Sequence, residues 1–308
     1  MKKICVLGSI NVDLVSTTPR FPAPGETVIG GEFNTFPCGK GANQAAAAGK
    51  MGAQVFMLGM VGKDDFGAKM MTALESAGVQ TVAAESVHAA TGVACIQVSA
   101  EGQNTIVVCP GANAEVDKAY VDRCHPLIAD CDILLLQLEI PPESVCHAID
   151  KAFSMGKTII LDPAPAVRLP AETLRKVTMI TPNESEMRIL CGRDNAWRHD
   201  ALEGCRTLAE MGCQTVLHKA GAKGAYLYQN NTLTRFPAYA VDVADTTAAG
   251  DAFNAALACA LSRDMLLKEA IPFANAAGAL ATTQIGAQSA MPSWAECAEF
   301  LESARELP

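Results

Sequence analysis

Short apolar runs recur along the chain, each followed by a turn and then by a stretch with apolar residues at helical spacing. ICVLG at 4–8, Gln54–Val61, DILLLQL at 132–138, Thr158–Leu161, Val177–Thr181 and Thr215–Ala220 are predicted strands. They are apolar almost throughout, as in parallel strands covered on both faces. Helices are predicted from about Ala42, at Asp64–Ala77, Val116–Ala129, Pro141–Met155 and His199–Met211, then over about 250–262, 267–283 and 293–304. Two short strands, near Ala225–Tyr228 and Thr232–Pro237, precede the last three helices. Alternating strand and helix predict an α/β fold with a mostly parallel central sheet between helical layers, αβα.

Two stretches break that rhythm. PRFPAPGE is turn-rich, and TVIGGEFNTFP after it carries β-branched and aromatic residues around Gly30–Gly31, which predicts a short hairpin. TGVACIQVSAEGQNTIVVCPG at 91–111 predicts a second hairpin, turning at Ala100–Gln103. Two such hairpins can pair into one small sheet, whose open face needs cover from substrate or from another subunit. The expected organisation is one α/β domain over 1–308 with a small β-sheet lid, its hairpins inserted at about 12–38 and 91–112.

Half of the 308 residues are apolar and only 5% are aromatic, so the core is built mostly of Ala, Val, Leu, Ile and Met. A net charge of −9 argues against a general nucleic-acid or anionic-membrane surface. The twelve cysteines include no CxxC pair, and the five histidines show no HxxxH or HExxH spacing, so a zinc site is not expected. Most of the thiols fall in apolar runs, as expected of buried cysteines in a reducing cytosol. Asp13 interrupts the N-terminal apolar run too early for a signal peptide, and no stretch reaches the length of a membrane span. The expectation is a soluble, cytoplasmic protein.

The candidate chemistry clusters at strand ends, where open α/β sheets bind ligands. Asn11, Asp13, Glu139, Asn183, Glu186, Gly221 and Asp251 all fall at or just after predicted strand ends. Asn11 and Asp13 share one face of an extended segment and can grip a polyol, or can simply serve a turn. No GxGxxG follows the first strand, which sets aside a dinucleotide oxidoreductase, and no GxxxxGK[ST] P-loop occurs. In CGKGANQ at 38–44 a glycine turn opens a helix beside Lys40 and Asn43, a weak signal for an anion or polar ligand. DTTAAGDAF at 245–253 is sharper. Small residues at Ala248, Ala249 and Gly250 let an anion approach the first N–H groups of a helix, and Asp251 stands beside it. The segment is either a catalytic turn or an Asp cap on a core helix.

GSINVD at 8–13, GKGANQ at 39–44, TPNESE at 181–186, DTTAAGDAF at 245–253 and GAQ at 286–288 together resemble the PfkB-type carbohydrate kinase family, nearest to its ribose-phosphorylating branch. The resemblance covers nearly the whole chain. It implies Asp251 as general base, with Ala248, Ala249 and Gly250 as the anion hole. It implies Asn11, Asp13, Gly39, Lys40, Asn43 and Glu139 as the sugar-binding set. Asn183, Lys219, Gly221, Gly224 and Asn275 align with nucleotide-contacting positions, and Glu186 is linked to Mg²⁺. Asp245 and Thr247, with Ala281, Gln284 and Gly286, fall where that branch holds a monovalent cation, K⁺. The hairpins match the family's lid, which implies a homodimer formed through it. Three residues depart from the pattern. Cys38 replaces the first glycine of a double-glycine hinge, Lys219 replaces a threonine beside the nucleotide, and Ala290 replaces a serine near the cation.

The expected reaction is ATP-dependent phosphorylation of a primary hydroxyl, D-ribose to D-ribose 5-phosphate being the leading case. A base acting in a loose phosphoryl transition state needs no raised pKa, so an ordinary carboxylate suffices. Another sugar or a nucleoside is the near alternative. A catalytically silent sugar- or nucleotide-sensing protein is the alternative of another class.

Overall fold

A computed structural model describes residues 1–82, 84–86, 88–194 and 200–305. Strands β1 (Ile4–Leu7), β4 (Val55–Leu58), β6 (Gln80–Thr81), β10 (Ile133–Leu136), β11 (Thr158–Leu161), β12 (Met179–Ile180), β13 (Val216–Lys219), β14 (Ala225–Gln229) and β15 (Thr232–Phe236) form one sheet. Their order is β15-β14-β13-β12-β11-β10-β1-β4-β6, parallel from β13 through β6 and antiparallel only at β14 and β15. Successive residues of β1 feed opposite cores. Ile4 and Val6 face one, Cys5 and Leu7 the other, and all four are fully buried. A strand buried on both faces has no polar side to show, which is why these runs do not alternate.

Helices α1 (Lys40–Lys50), α2 (Asp65–Ser76), α9 (Ala249–Ser262), α10 (Leu267–Ala281) and α11 (Trp294–Arg305) cover the first face. The second carries α3 (Lys118–Arg123), α4 (His125–Asp130), α5 (Pro142–Ser154), α6 (Ala171–Leu174), α7 (Glu184–Leu190) and α8 (Ala201–Glu210). The predicted helix Val116–Ala129 is two helices, parted at Cys124 ahead of Pro126, whose ring is tolerated only in a first turn. The predicted start of α8, His199, lies outside the described residues. Among the described residues no helix is long and apolar enough to cross a membrane.

The small sheet is β3-β2-β8-β9, formed by β2 (Asn11–Thr18), β3 (Phe33–Cys38), β8 (Gly92–Ser99) and β9 (Asn104–Cys109). A two-stranded pair, β5 (Met60–Gly62) and β7 (Ala84–Ser86), stands beside it in sequence. The β8–β9 hairpin turns where predicted, closed by the Ser99 N–H on the Gln103 carbonyl. The other hairpin does not turn at Gly30–Gly31. Its strands are β2 and β3, joined by residues 19–32, and Gly31 only hydrogen-bonds back to Thr17. Asn11 and Asp13 therefore do not end the first core strand; they open β2 and belong to the small sheet. The two hairpins pair through β2 and β8, which run parallel.

Candidate functional site

Helix α1 begins where two backbones nearly touch. A Cβ on Gly41 would lie 2.7 Å from Gly8 and Ser9 backbone atoms, and one on Gly39, at φ 95°, would lie 2.6 Å from the Asn11 nitrogen. No other residue fits either place without shifting the chain. The contact sets the start of α1 against the turn after β1. Glu139, following β10, closes the corner: its Oε2 accepts from the Ser9 hydroxyl at 2.6 Å and from the Lys40 N–H at 3.2 Å. A carboxylate at a helix N-terminus suits the dipole there. Asn11 is held by Asn113, which donates from Nδ2 to Asn11 Oδ1 at 2.7 Å and accepts the Ile10 N–H at 2.8 Å. Burial raises the Asp13 pKa; the Cys38 thiol donates to it and opposes the rise, and Glu139 adds to it. Cys38 ends β3 opposite Asn11 with its thiol against Asp13 and Asn43.

Asp251 lies in the first turn of α9 and is 5% exposed. Its Oδ2 accepts from Asn43 and its Oδ1 from Gln44, both at 3.0 Å, so α1 grips both carboxylate oxygens. Burial pushes its pKa up to about 6, against the pull of the Lys40 ammonium, and the nearby Asp162 adds to the rise. The loose transition state does not require this rise; it follows from where the carboxylate is buried. Burial alone would lower the Lys40 pKa, but Asp251, Asp162, Glu139 and Glu186 surround the ammonium and together raise it. Ala248 caps α9 in the left-handed region, at φ 58°, a conformation rare for a residue with a Cβ. That kink aims the open N–H end of α9.

On the other side of this turn lies a cavity of about 610 Å³. Lys219, Gly221, Gly224, Ala249, Gly250 and Asn275 all line it. Gly221 and Gly224 have positive φ, and a Cβ on Gly224 would strike the Phe236 carbonyl at 2.0 Å. Asn275 donates to the Pro237 carbonyl at 3.0 Å. Asn183 and Glu186 meet as a capping box on α7: the Asn183 N–H and Nδ2 each donate to the Glu186 carboxylate at 2.8 Å, and Asn183 Oδ1 accepts the Glu186 N–H. Burial raises the Glu186 pKa and Lys219 opposes the rise. Asp245 organises a separate loop. Its Oδ1 accepts from the Thr247 N–H and hydroxyl, and its Oδ2 from the Gly286 N–H, joining the segment before α9 to the one after α10.

Several residues of this region were not read from the sequence. Gln44 Nε2 donates to Asp162 as well as Asp251, and Gln137 donates to Gln44 Oε1 at 2.5 Å. Lys219 Nζ stands 2.8 Å from Asp162 Oδ1. Asp162 directly follows β11 as Glu139 follows β10, so the strand-end rule is the one signal that points to it. Gln44 lies one helical turn after Lys40, an amide inside a run of alanines. Asn113 sits in an unremarkable turn and carries no such signal.

A buried carboxylate beside the N-terminus of a helix, with a cavity of ligand size across that turn, is an arrangement suited to small-molecule phosphoryl transfer. The pfkB family carbohydrate kinase model matches residues 1–294, and the chain belongs to that family. It is 42% identical to a ribokinase of Bacillus subtilis over 98% of this chain and 100% of the relative. It is 36% identical to a deoxyribokinase of Salmonella typhi, over 97% and 98%. A structure of Arabidopsis thaliana ribokinase complexed with ribose and ATP is similar at a TM-score of 0.92 and 30% identity, covering 98% of this chain and 99% of that one.

Proposed function

We propose that this chain uses ATP to phosphorylate the primary hydroxyl of D-ribose, giving ribose 5-phosphate. The observation that carries the reading is Asp251, gripped by Asn43 and Gln44 one residue beyond the Gly250 that lines the cavity. In this reading Asn11, Asp13, Gly39, Lys40, Asn43 and Glu139 hold the sugar, and Asp251 takes the hydroxyl proton. The small residues Ala248, Ala249 and Gly250 give the phosphoryl oxygens access to the N–H groups of α9. Asn183, Gly221, Gly224 and Asn275 contact the nucleotide.

Glu186 would help hold Mg²⁺ brought in with the nucleotide, and the ion would supply neutralisation of phosphate charge. Among the described residues no cluster of three carboxylate, His or Cys groups converges tightly enough to hold a metal alone. That fits an ion held by one carboxylate, Glu186 here, together with phosphates. The Asp245 loop fits K⁺. Thr247 and Gly286 donate to Asp245 and lower its pKa although burial opposes them, so its charge is kept. Ala281 and Gln284 bring backbone carbonyls, and Ala290 brings no hydroxyl. The small sheet is a lid and the contact of a homodimer. Twelve cysteines with no disulfide among them suit the cytosol.

A panel of D-ribose, 2-deoxy-D-ribose, D-fructose and adenosine, scored by ADP release, tests the substrate. D-ribose is expected to show the highest kcat/KM. A higher value on 2-deoxy-D-ribose would favour the second reading, to which the similarity to a deoxyribokinase points. Binding without turnover across the panel would favour a sensing protein.

A further inference from the structure

The cavity lining carries one charged side chain among the described residues, Lys219. It is not at the open rim. The side chain is 12% exposed, and its ammonium is 2.8 Å from Asp162, itself 2% exposed. It also lies 3.3 Å from the point a Cβ on Gly250 would occupy. The ammonium therefore sits against the first turn of α9, on the cavity side of the residue next to Asp251. Asp162 spends its other oxygen on Gln44, whose amide also holds Asp251. A single carboxylate thus fixes the cation directly and the carboxylate of α9 through one amide.

Resting on the kinase reading above, we propose that Lys219 is a catalytic residue that holds a fixed positive charge against the phosphoryl group in transit, with Asp162 as its positioning residue. In the transfer, the bond from the terminal phosphorus to the ADP oxygen breaks and one to the sugar oxygen forms, while Asp251 takes the hydroxyl proton. Negative charge on the non-bridging oxygens then lies between the N–H groups of α9 and the Lys219 ammonium. An ammonium has three N–H donors and Asp162 accepts one of them, so the lysine can stay paired while it donates to phosphate. A cation held by a buried partner needs no reorganisation when the charge develops, which is where fixed donors act most strongly.

The rival account is an ion pair that only stabilises the fold. Replacing both partners by neutral residues separates the two, because removing one alone strands a buried charge. Asp162→Asn/Lys219→Thr is expected to melt within a few degrees of the unsubstituted protein and to bind adenosine unchanged. It should bind ATP about tenfold more weakly and turn over about 10²-fold more slowly, the usual loss of one fixed donor. Asp162→Asn/Lys219→Met, which keeps the length of the lysine without its charge and strands no partner, is read in the same way should the first double variant fail to fold. Turnover within threefold of the unsubstituted enzyme in a folded variant would overturn the proposal. So would equal losses for adenosine and ATP, which would put the lysine at the base rather than at the phosphates. Binding is measured without sugar, so a chain that phosphorylates no sugar ends the kinase reading and leaves this comparison standing.

Discussion

Asp251 carries a cost that follows from where it sits. Its folded pKa of about 6 is above the ordinary Asp value, so folding disfavours its charged form. The folded chain holds that proton more tightly than the unfolded chain. Stability from this group therefore falls as pH rises from about 4 to 6, and the full cost, on the order of 3 kcal/mol, stands above 6. Asp251→Asn is expected to lose at least about two orders of magnitude in turnover while binding sugar and ATP. At pH 8 it should melt higher than the parent, with the difference gone by about pH 4. Asn43 Oδ1, which has no partner among the described residues, can turn to accept from the new amide. In the parent, kcat/KM should fall about tenfold per unit below a midpoint near pH 6; a flat profile down to pH 5 would remove Asp251 as base. Gly39 makes a second test. Gly39→Ala forces a Cβ into the Asn11 backbone at a positive φ, a strain of about 1–3 kcal/mol. The expected result is a raised KM for sugar with a smaller change in KM for ATP.

At the scale of elements, helix α1 explains what was legible and what was not. Gly39, Lys40 and Asn43 stood out in the sequence because glycine and polar residues interrupt a run of alanines. Other members of the site did not stand out: Gln137 and Asp162, which bond Gln44 on α1, and Asn113, which bonds Asn11, come from distant turns and strand ends that only the folded sheet brings together. The core strands were readable because burial on both faces leaves an unbroken apolar run. β2 was not readable as a strand of the small sheet, since Asn11 and Asp13 fit an extended end or a turn equally well. The Asp245 loop carries a test of its own. Activity is expected to rise when choline chloride is replaced by KCl at constant ionic strength, and equal rates in the two salts would remove the cation. The edge strand β9 is exposed along its length, with Ile106, Val107 and Val108 each more than half exposed. Edges of this kind invite pairing or cover. Val107→Asp is expected to shift a micromolar sample from dimer to monomer in sedimentation, without lowering the melting temperature of the monomer.

Across the whole molecule, the periodicity of the strands was enough for the layers, because alternate residues of each strand must feed two different cores. It was not enough for the convergence of the site. Asp162, Lys219, Gln44 and Asp251 are separated by up to 207 residues and are linked by single hydrogen bonds. No local pattern records such a link. What the sequence does record is the setting: turns after parallel strands, opened by small residues, at the carboxyl ends of the central strands. The same two-sided burial leaves little slack, since α1 and α9 meet through alanines. Any larger residue at that contact would move the helix that grips Asp251.

The placement of Asn11 and Asp13 on the small sheet, apart from the helix that carries Asp251, has an evolutionary reading. Two of the residues proposed to hold the sugar, Asn11 and Asp13, stand on the small sheet, which the Cys38–Gly39 step joins to α1, whereas the residues proposed to move the phosphate open α9. Drift in one can then proceed while the other is held by selection. A lineage that exchanged the side chains at Asn11 and Asp13 would keep the turn that carries Asp251 and alter the grip on the sugar.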